Sequence, residues 1–161
     1  TTGWDKTIYH VASVEAAYGV AVDPVDNSVY VVGDANYDWV IHKFADDGTE
    51  ITTGWNKTID GNSSYDQARS VVVDSSQNVF VAGYGNNLTS ATSKKDLWLK
   101  KFSSNGTEMT AGWDKKIDVL GYEWVNALCK GPSDTIHAVG VGQNLSSNLS
   151  TEDMWIQKFV P

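Results

Sequence analysis

Short apolar runs alternate with turn-forming residues along this whole chain, and no segment carries the 3.6-residue spacing of an amphipathic helix. One kind of run is Val20-Ala21-Val22-Asp23, Val71-Val72-Val73-Asp74 and Leu128-Cys129-Lys130-Gly131. The first two of these are apolar on both faces, which predicts strands buried between layers. A second kind, Val29 to Gly33, Val79 to Gly83 and Ile136 to Gly140, is β-branched and aromatic and reads as strand again. The third runs from an Asp to a Phe, as Asp38 to Phe44, Asp96 to Phe102 and Asp153 to Phe159. The fourth opens on Gly-Trp: Gly3 to Ile8, Gly54 to Ile59 and Gly112 to Ile117.

These runs recur in a fixed order, so the chain is an internal repeat. The spacing is 55 − 4 = 51 residues from Trp4 to Trp55 and 113 − 55 = 58 from Trp55 to Trp113, a period typical of repeat architectures. Turn chemistry falls where this reading needs it. Asp47-Gly48 and Asn105-Gly106 join third and fourth runs and supply the positive φ of a tight connection. Asp26-Asn27, Gln77-Asn78 and Ser133-Asp134 join first and second runs. In the third copy Lys130-Gly131-Pro132 replaces Val-Asp, so its first strand is expected to end early or bulge. Four antiparallel strands in each repeat of about 40 to 50 residues describe an all-β β-propeller blade.

The pattern Gly19-Val20-Ala21-Val22-Asp23, then Asn27-Ser28-Val29-Tyr30-Val31-Val32-Gly33, then Trp39 to Gly48, recurs as Ser70 to Asp74, Gln77 to Gly83 and Leu97 to Gly106. It resembles the β-propeller repeats of the SBBP and NHL groups. That resemblance implies a scaffold for binding proteins, sugars or small molecules, and in some cases a hydrolase or lyase. It also implies that the first run is the innermost strand of a blade and the Gly-Trp run the outermost.

On this basis the chain forms three four-stranded blades, at about residues 11–59, 60–117 and 118–161, the last closed by residues 1–10 of a partner chain. Propellers typically carry roughly four to eight blades. The expected assembly is therefore a homodimer that builds a six-bladed ring, with an excised fragment of a longer protein or a different oligomer as the alternatives.

Composition removes several functions. A net charge of −8 and a pI near 4.6 argue against nucleic acid and anionic membrane surfaces, whose binders concentrate Lys and Arg. No apolar stretch is long enough to insert in a membrane as a helix. Cys129 is a single cysteine, aligned with Ala21 and Val72 and read as a small buried hydrophobe. The histidines scatter: His137 aligns with Tyr30 and Phe80 in a core position, His42 with Lys100 and Gln157 in a solvent position, and His10 lies in a loop. No metal site or cofactor is expected, and no Ser-His-Asp constellation assembles.

Candidate binding residues lie in the loops that lead into the inner strands. Glu15, Asp66 and Glu123 align at one position, and Tyr18, Arg69 and Asn126 at another. Carboxylates around a channel mouth would focus a field on a cation or basic ligand. Tyr18, Asn126, Gln67 and Trp124 instead suit polar neutral ligands such as sugars. Trp124 aligns with Ala16 and Gln67, so its register does not require an aromatic. Trp4, Trp55 and Trp113 recur at one blade position and Trp98 with Trp155 at another, which predicts packing between blades. Asp38, Asp96 and Asp153 are expected to staple loops through backbone amides. The expected function is a noncatalytic binding scaffold, extracellular or on a cell surface, with a carbohydrate or protein ligand. A sugar-binding lectin is the first alternative and a propeller hydrolase or lyase the second.

Overall fold

A computed structural model describes residues 3–9, 14–62, 64–118, 121–146 and 151–160. His10 and Asn148 lie outside them. The described elements are β1 (Glu15–Val22), β2 (Val29–Ala35), β3 (Asp38–Phe44), β4 (Lys57–Ile59), β5 (Gln67–Val73), β6 (Val79–Asn86), β7 (Lys95–Phe102), β8 (Lys115–Ile117), β9 (Glu123–Lys130), β10 (Ile136–Gly142) and β11 (Asp153–Phe159). They form three antiparallel sheets in the orders β1-β2-β3-β4, β5-β6-β7-β8 and β11-β10-β9.

The sheets stack through two apolar layers. The first joins Tyr30, Val32, Trp39, Ile41 and Trp55 to Val71, Val79, Val81, Trp98 and Phe102 of the second sheet. The second joins Phe80, Ala82, Leu97, Leu99 and Trp113 to Val125, Leu128, Ile136, Ala138 and Phe159. Alternation along each strand is what makes this possible, because residues i and i+2 share a face and a middle sheet must offer an apolar set on both.

The turns behave as their residues dictate. Gly48 and Gly106 sit at φ +81° and +84°, a region glycine enters without steric cost. Asn36 and Tyr37, at φ 52° and 74°, close the two-residue hairpin between β2 and β3, the backbone of a type I′ turn. The long counterpart between β6 and β7 is tied by Asp96, whose Oδ2 accepts from Leu88 N at 2.6 Å and the Ser93 hydroxyl at 2.6 Å. Asp153 accepts from Ser146 N at 3.0 Å in the same way.

Four expectations are corrected. The Gly-Trp runs are not strands over their whole length: Gly54 (φ +77°) and Gly112 (φ +74°) lie in turns, and the strands begin three residues later, as Lys57–Ile59 and Lys115–Ile117. The third inner strand does not stop short; β9 reaches Lys130, and a 3-10 turn at Pro132–Asp134 absorbs the altered sequence. His42 is buried, with Nδ1 2.8 Å from Glu50 Oε1, because its strand face is covered, as it is at the aligned Lys100 of the next repeat. Cys129 is exposed: its counterparts Ala21 and Val72 pack against the following sheet, and among the described residues no sheet follows that of β9.

Candidate functional site

The innermost strands β1, β5 and β9 lie side by side, and their exposed faces bound a concavity of about 640 Å³. Val20 and Val22 are exposed on β1, whereas their counterparts Val71 and Val73 on β5 are buried against the first sheet and Val72 packs toward the third, so the middle inner strand buries both faces and the first does not.

Each inner strand breaks register with its neighbour at one residue. Ala17 pairs Gly33 and Gly19 pairs Val32, which leaves Tyr18 as the extra residue. Ala68 pairs Gly83 and Ser70 pairs Ala82, leaving Arg69; Ala127 pairs Val139 and Val125 pairs Gly140, leaving Asn126. A β-bulge re-aims the side chain it inserts. Tyr18, Arg69 and Asn126 are thus presented at the same place by three successive sheets. The facing glycines permit this, since a β-carbon on Gly33, Gly83 or Gly140 would overlap the carbonyl oxygen of Ala16, Gln67 or Trp124 respectively.

The three bulged residues meet. Arg69 Nη1 donates to Asn126 Oδ1 at 3.1 Å and Nε to Gln67 Oε1 at 2.8 Å, while its guanidinium lies 5.9 Å from the Tyr18 ring centre and 5.8 Å from that of Tyr84. Trp124 Nε1 also donates to Asn126 Oδ1, at 3.1 Å, and Lys95 Nζ stands between the rings of Tyr84 (4.3 Å) and Trp124 (5.5 Å). Burial and the nearby Arg69 guanidinium together lower the Lys95 pKa. The result is a rim of alternating cations, aromatics and amides, with Tyr18 and Asn126 exposed and Arg69 and Trp124 half-buried.

The carboxylates lie elsewhere. Asp66 and Glu123 are buried and Glu15 is half-buried. Asp66 accepts from Gly61 N at 2.5 Å and Asn86 N at 2.9 Å. Its pKa is pushed up to about 6, chiefly by burial, which those two amides oppose and the nearby Asp60 and Asp38 reinforce. Asp38, Asp60 and Asp66 can bring one oxygen each within 4.8 Å of one another, and Asp96, Asp118 and Glu123 do the same one repeat later. Sets of carboxylate oxygens are what hard divalent cations take as ligands. Asp60 and Asp118 escaped the sequence reading, although both follow the Ile that ends a fourth strand. The signal was their recurrence, because groups drawn from three separate segments have no linear spacing of their own.

Stacked four-stranded antiparallel sheets with adjacent inner strands are the arrangement of consecutive propeller blades. Residues 57–88, from β4 through β6, match the family model of the SBBP beta-propeller repeat. No curated protein shows a significant match to the chain.

Proposed function

We propose that this chain is a noncatalytic binding scaffold and that its ligand is held on the rim formed by Tyr18, Arg69, Asn126 and Trp124. The observation that supports this most directly is the Arg69–Asn126–Trp124 network, in which one amide oxygen takes a donor from its own strand and another from the preceding sheet, at 3.1 Å each. Rigid sheets hold these groups, and preorganised polar groups beside aromatic faces are the composition of small-ligand sites.

A carbohydrate is the ligand class this rim favours. Half-exposed tyrosine and tryptophan rings offer flat apolar faces, and the adjoining amide and guanidinium groups bond hydroxyls. A protein ligand is the second reading, supported by the breadth of the concavity along all three inner strands.

Glycan-array binding tests the proposal. A neutral oligosaccharide should be retained by the parent protein and weakened by roughly 1 to 3 kcal/mol in Trp124→Ala, as for a hot-spot aromatic. A ligand of any class whose affinity survives Tyr18→Ala, Arg69→Ala and Trp124→Ala combined would move the site off this rim.

A further inference from the structure

The two internal junctions show how one blade receives the next. Trp55 is held between Tyr30 of its own blade, ring centres 4.8 Å apart, and Phe102 of the following blade, at 6.1 Å. Trp113 is held in the same way between Phe80 at 4.8 Å and Phe159 at 6.2 Å. The indole N–H of Trp55 donates to Ser104 O at 3.0 Å, two residues beyond Phe102. Trp4 makes the second half of this arrangement on the first blade. Its ring lies 5.7 Å from Phe44 and its N–H donates to Asp46 O at 3.1 Å, again two residues beyond the Phe. The residue that takes the place of Tyr30 and Phe80 for the other half is His137, on β10 of the third blade.

The face around His137 is apolar and exposed. Val139, Met154 and Ile156 are 41%, 97% and 73% exposed, while their counterparts Val32, Trp39 and Ile41 in the first blade and Ala82, Leu97 and Leu99 in the second are buried to 3% or less. Residues 3–9 belong to none of the three sheets, and between them and the rear of the first blade lies a cavity of about 320 Å³ lined by Trp4, Ile8, Val31, Val40, His42 and Phe44. Contiguous apolar surface and an open strand edge are both features that association covers.

We propose that a second copy of this chain docks here, its residues 6–8 adding as a fourth strand to the edge of β11 that no other described strand covers. The register follows from β7 and β8, where Leu97 pairs Ile117, Trp98 pairs Lys116 and Leu99 pairs Lys115. Met154 then pairs the partner's Ile8, Trp155 the partner's Thr7 and Ile156 the partner's Lys6. Polar chemistry fits the same register. Trp98 Nε1 donates to Asp114 Oδ1 at 2.8 Å, and Trp155 finds the partner's Asp5 in that place. Lys101 lies 5.0 Å from the Phe80 ring centre and 5.2 Å from that of Trp113, and Lys158 covers His137 and the partner's Trp4 likewise. Val139, Met154 and Ile156 enter the partner's cavity. Two such junctions related by a two-fold axis make a closed dimer of six blades. The inference concerns assembly and stands whether or not the rim binds a sugar.

Cross-linking tests the register. In a Cys129→Ser background, a mixture of Ile8→Cys chains with Met154→Cys chains should oxidise to a two-chain band on a non-reducing gel. Thr7→Cys in place of Ile8→Cys points to the opposite face of the strand and should give none. Ile156→Lys alters a side chain exposed in the single chain, so it should convert a dimer, weighed by light scattering, into a monomer of unchanged circular dichroism. A parent protein that is a monomer at micromolar concentration overturns the proposal. So does a dimer that forms no Ile8–Met154 cross-link, or one untouched by Ile156→Lys.

Discussion

Gly83 passes so close beneath Gln67 that a β-carbon on it would overlap the Gln67 carbonyl oxygen. The bulge that presents Arg69 exists at that crossing, because Ala68 pairs Gly83 while Ser70 pairs Ala82. Gly33 with Ala16 and Gly140 with Trp124 repeat the relationship, which makes the recurrent glycine at the end of each Val-rich run a requirement of the rim. Gly83→Ala should therefore force β5 and β6 apart, cost about 1–3 kcal/mol as overpacking does, and displace Arg69 from Asn126. Chemical denaturation measures the first effect. The second appears as loss of any rim ligand in a protein that still folds.

Trp55 is a buried keystone between blades, 1% exposed and edge-on to Tyr30 at 70°. Trp55→Ala should destabilise the chain by about 3–5 kcal/mol, the range for a large aromatic removed from a core. Trp124→Ala, half-buried and facing the rim, should cost far less. Thermal melts of the two variants side by side give the comparison.

Asp66 makes stability depend on pH in a defined direction. Its folded pKa of about 6 lies above the unfolded value of 3.8, so the folded state holds the proton more tightly. This group's contribution favours folding below the unfolded value and is progressively lost as pH rises from about 4 to about 6. Asp66→Asn cannot titrate, so the difference in stability between variant and parent should shift in the variant's favour as pH rises across that window. Urea titrations at pH 4, 5, 6 and 7 would measure it, and a constant difference would show that the carboxyl is not the titrating group.

Lys100 is a buried ammonium held by Glu108 at 2.5 Å and Asp114 at 3.2 Å. Asp114 also accepts the Trp98 indole N–H at 2.8 Å. Burial alone would raise the Asp114 pKa, but Trp98, Lys100 and Lys116 together hold it below the usual carboxylate value. Asp114→Ala should leave two buried donors short of an acceptor and cost about 1–3 kcal/mol. Asp114→Asn should recover part of that loss, since an amide oxygen still accepts from the indole. Equilibrium unfolding of the pair separates the hydrogen bond from the charge.

Fold class, blade order and the tight turns were legible in the chain because they rest on local rules. Period-2 alternation, β-branched runs and Asp-Gly or Asn-Gly pairs act within a few residues of one another, and repetition multiplies a weak signal three times. The packing role of the recurrent tryptophans was legible for the same reason, and Trp55 and Trp113 do lie in the two interblade layers. Alignment also brought Tyr18, Arg69 and Asn126 to one register, and these three are the residues that the bulges present.

What alignment could not supply is direction. A single inserted residue reverses which face a strand side chain takes, so the placing of Tyr18, Arg69 and Asn126 on one rim depended on glycines in a neighbouring strand. Burial was likewise a tertiary decision. His42 reads as a surface position beside Lys100 and Gln157, yet it is buried with Glu50 at hand, and Lys100 itself is buried among acids. Asp38, Asp60 and Asp66 come from three separate segments, and Asp66 is buried where the loops that hold Gly61 and Asn86 close over its carboxylate. The chain by itself determined which strands form and in what order. The stacking of the blades determined which charged groups are enclosed and which are shown to a ligand, because enclosure is set by neighbours distant in sequence that no local pattern encodes.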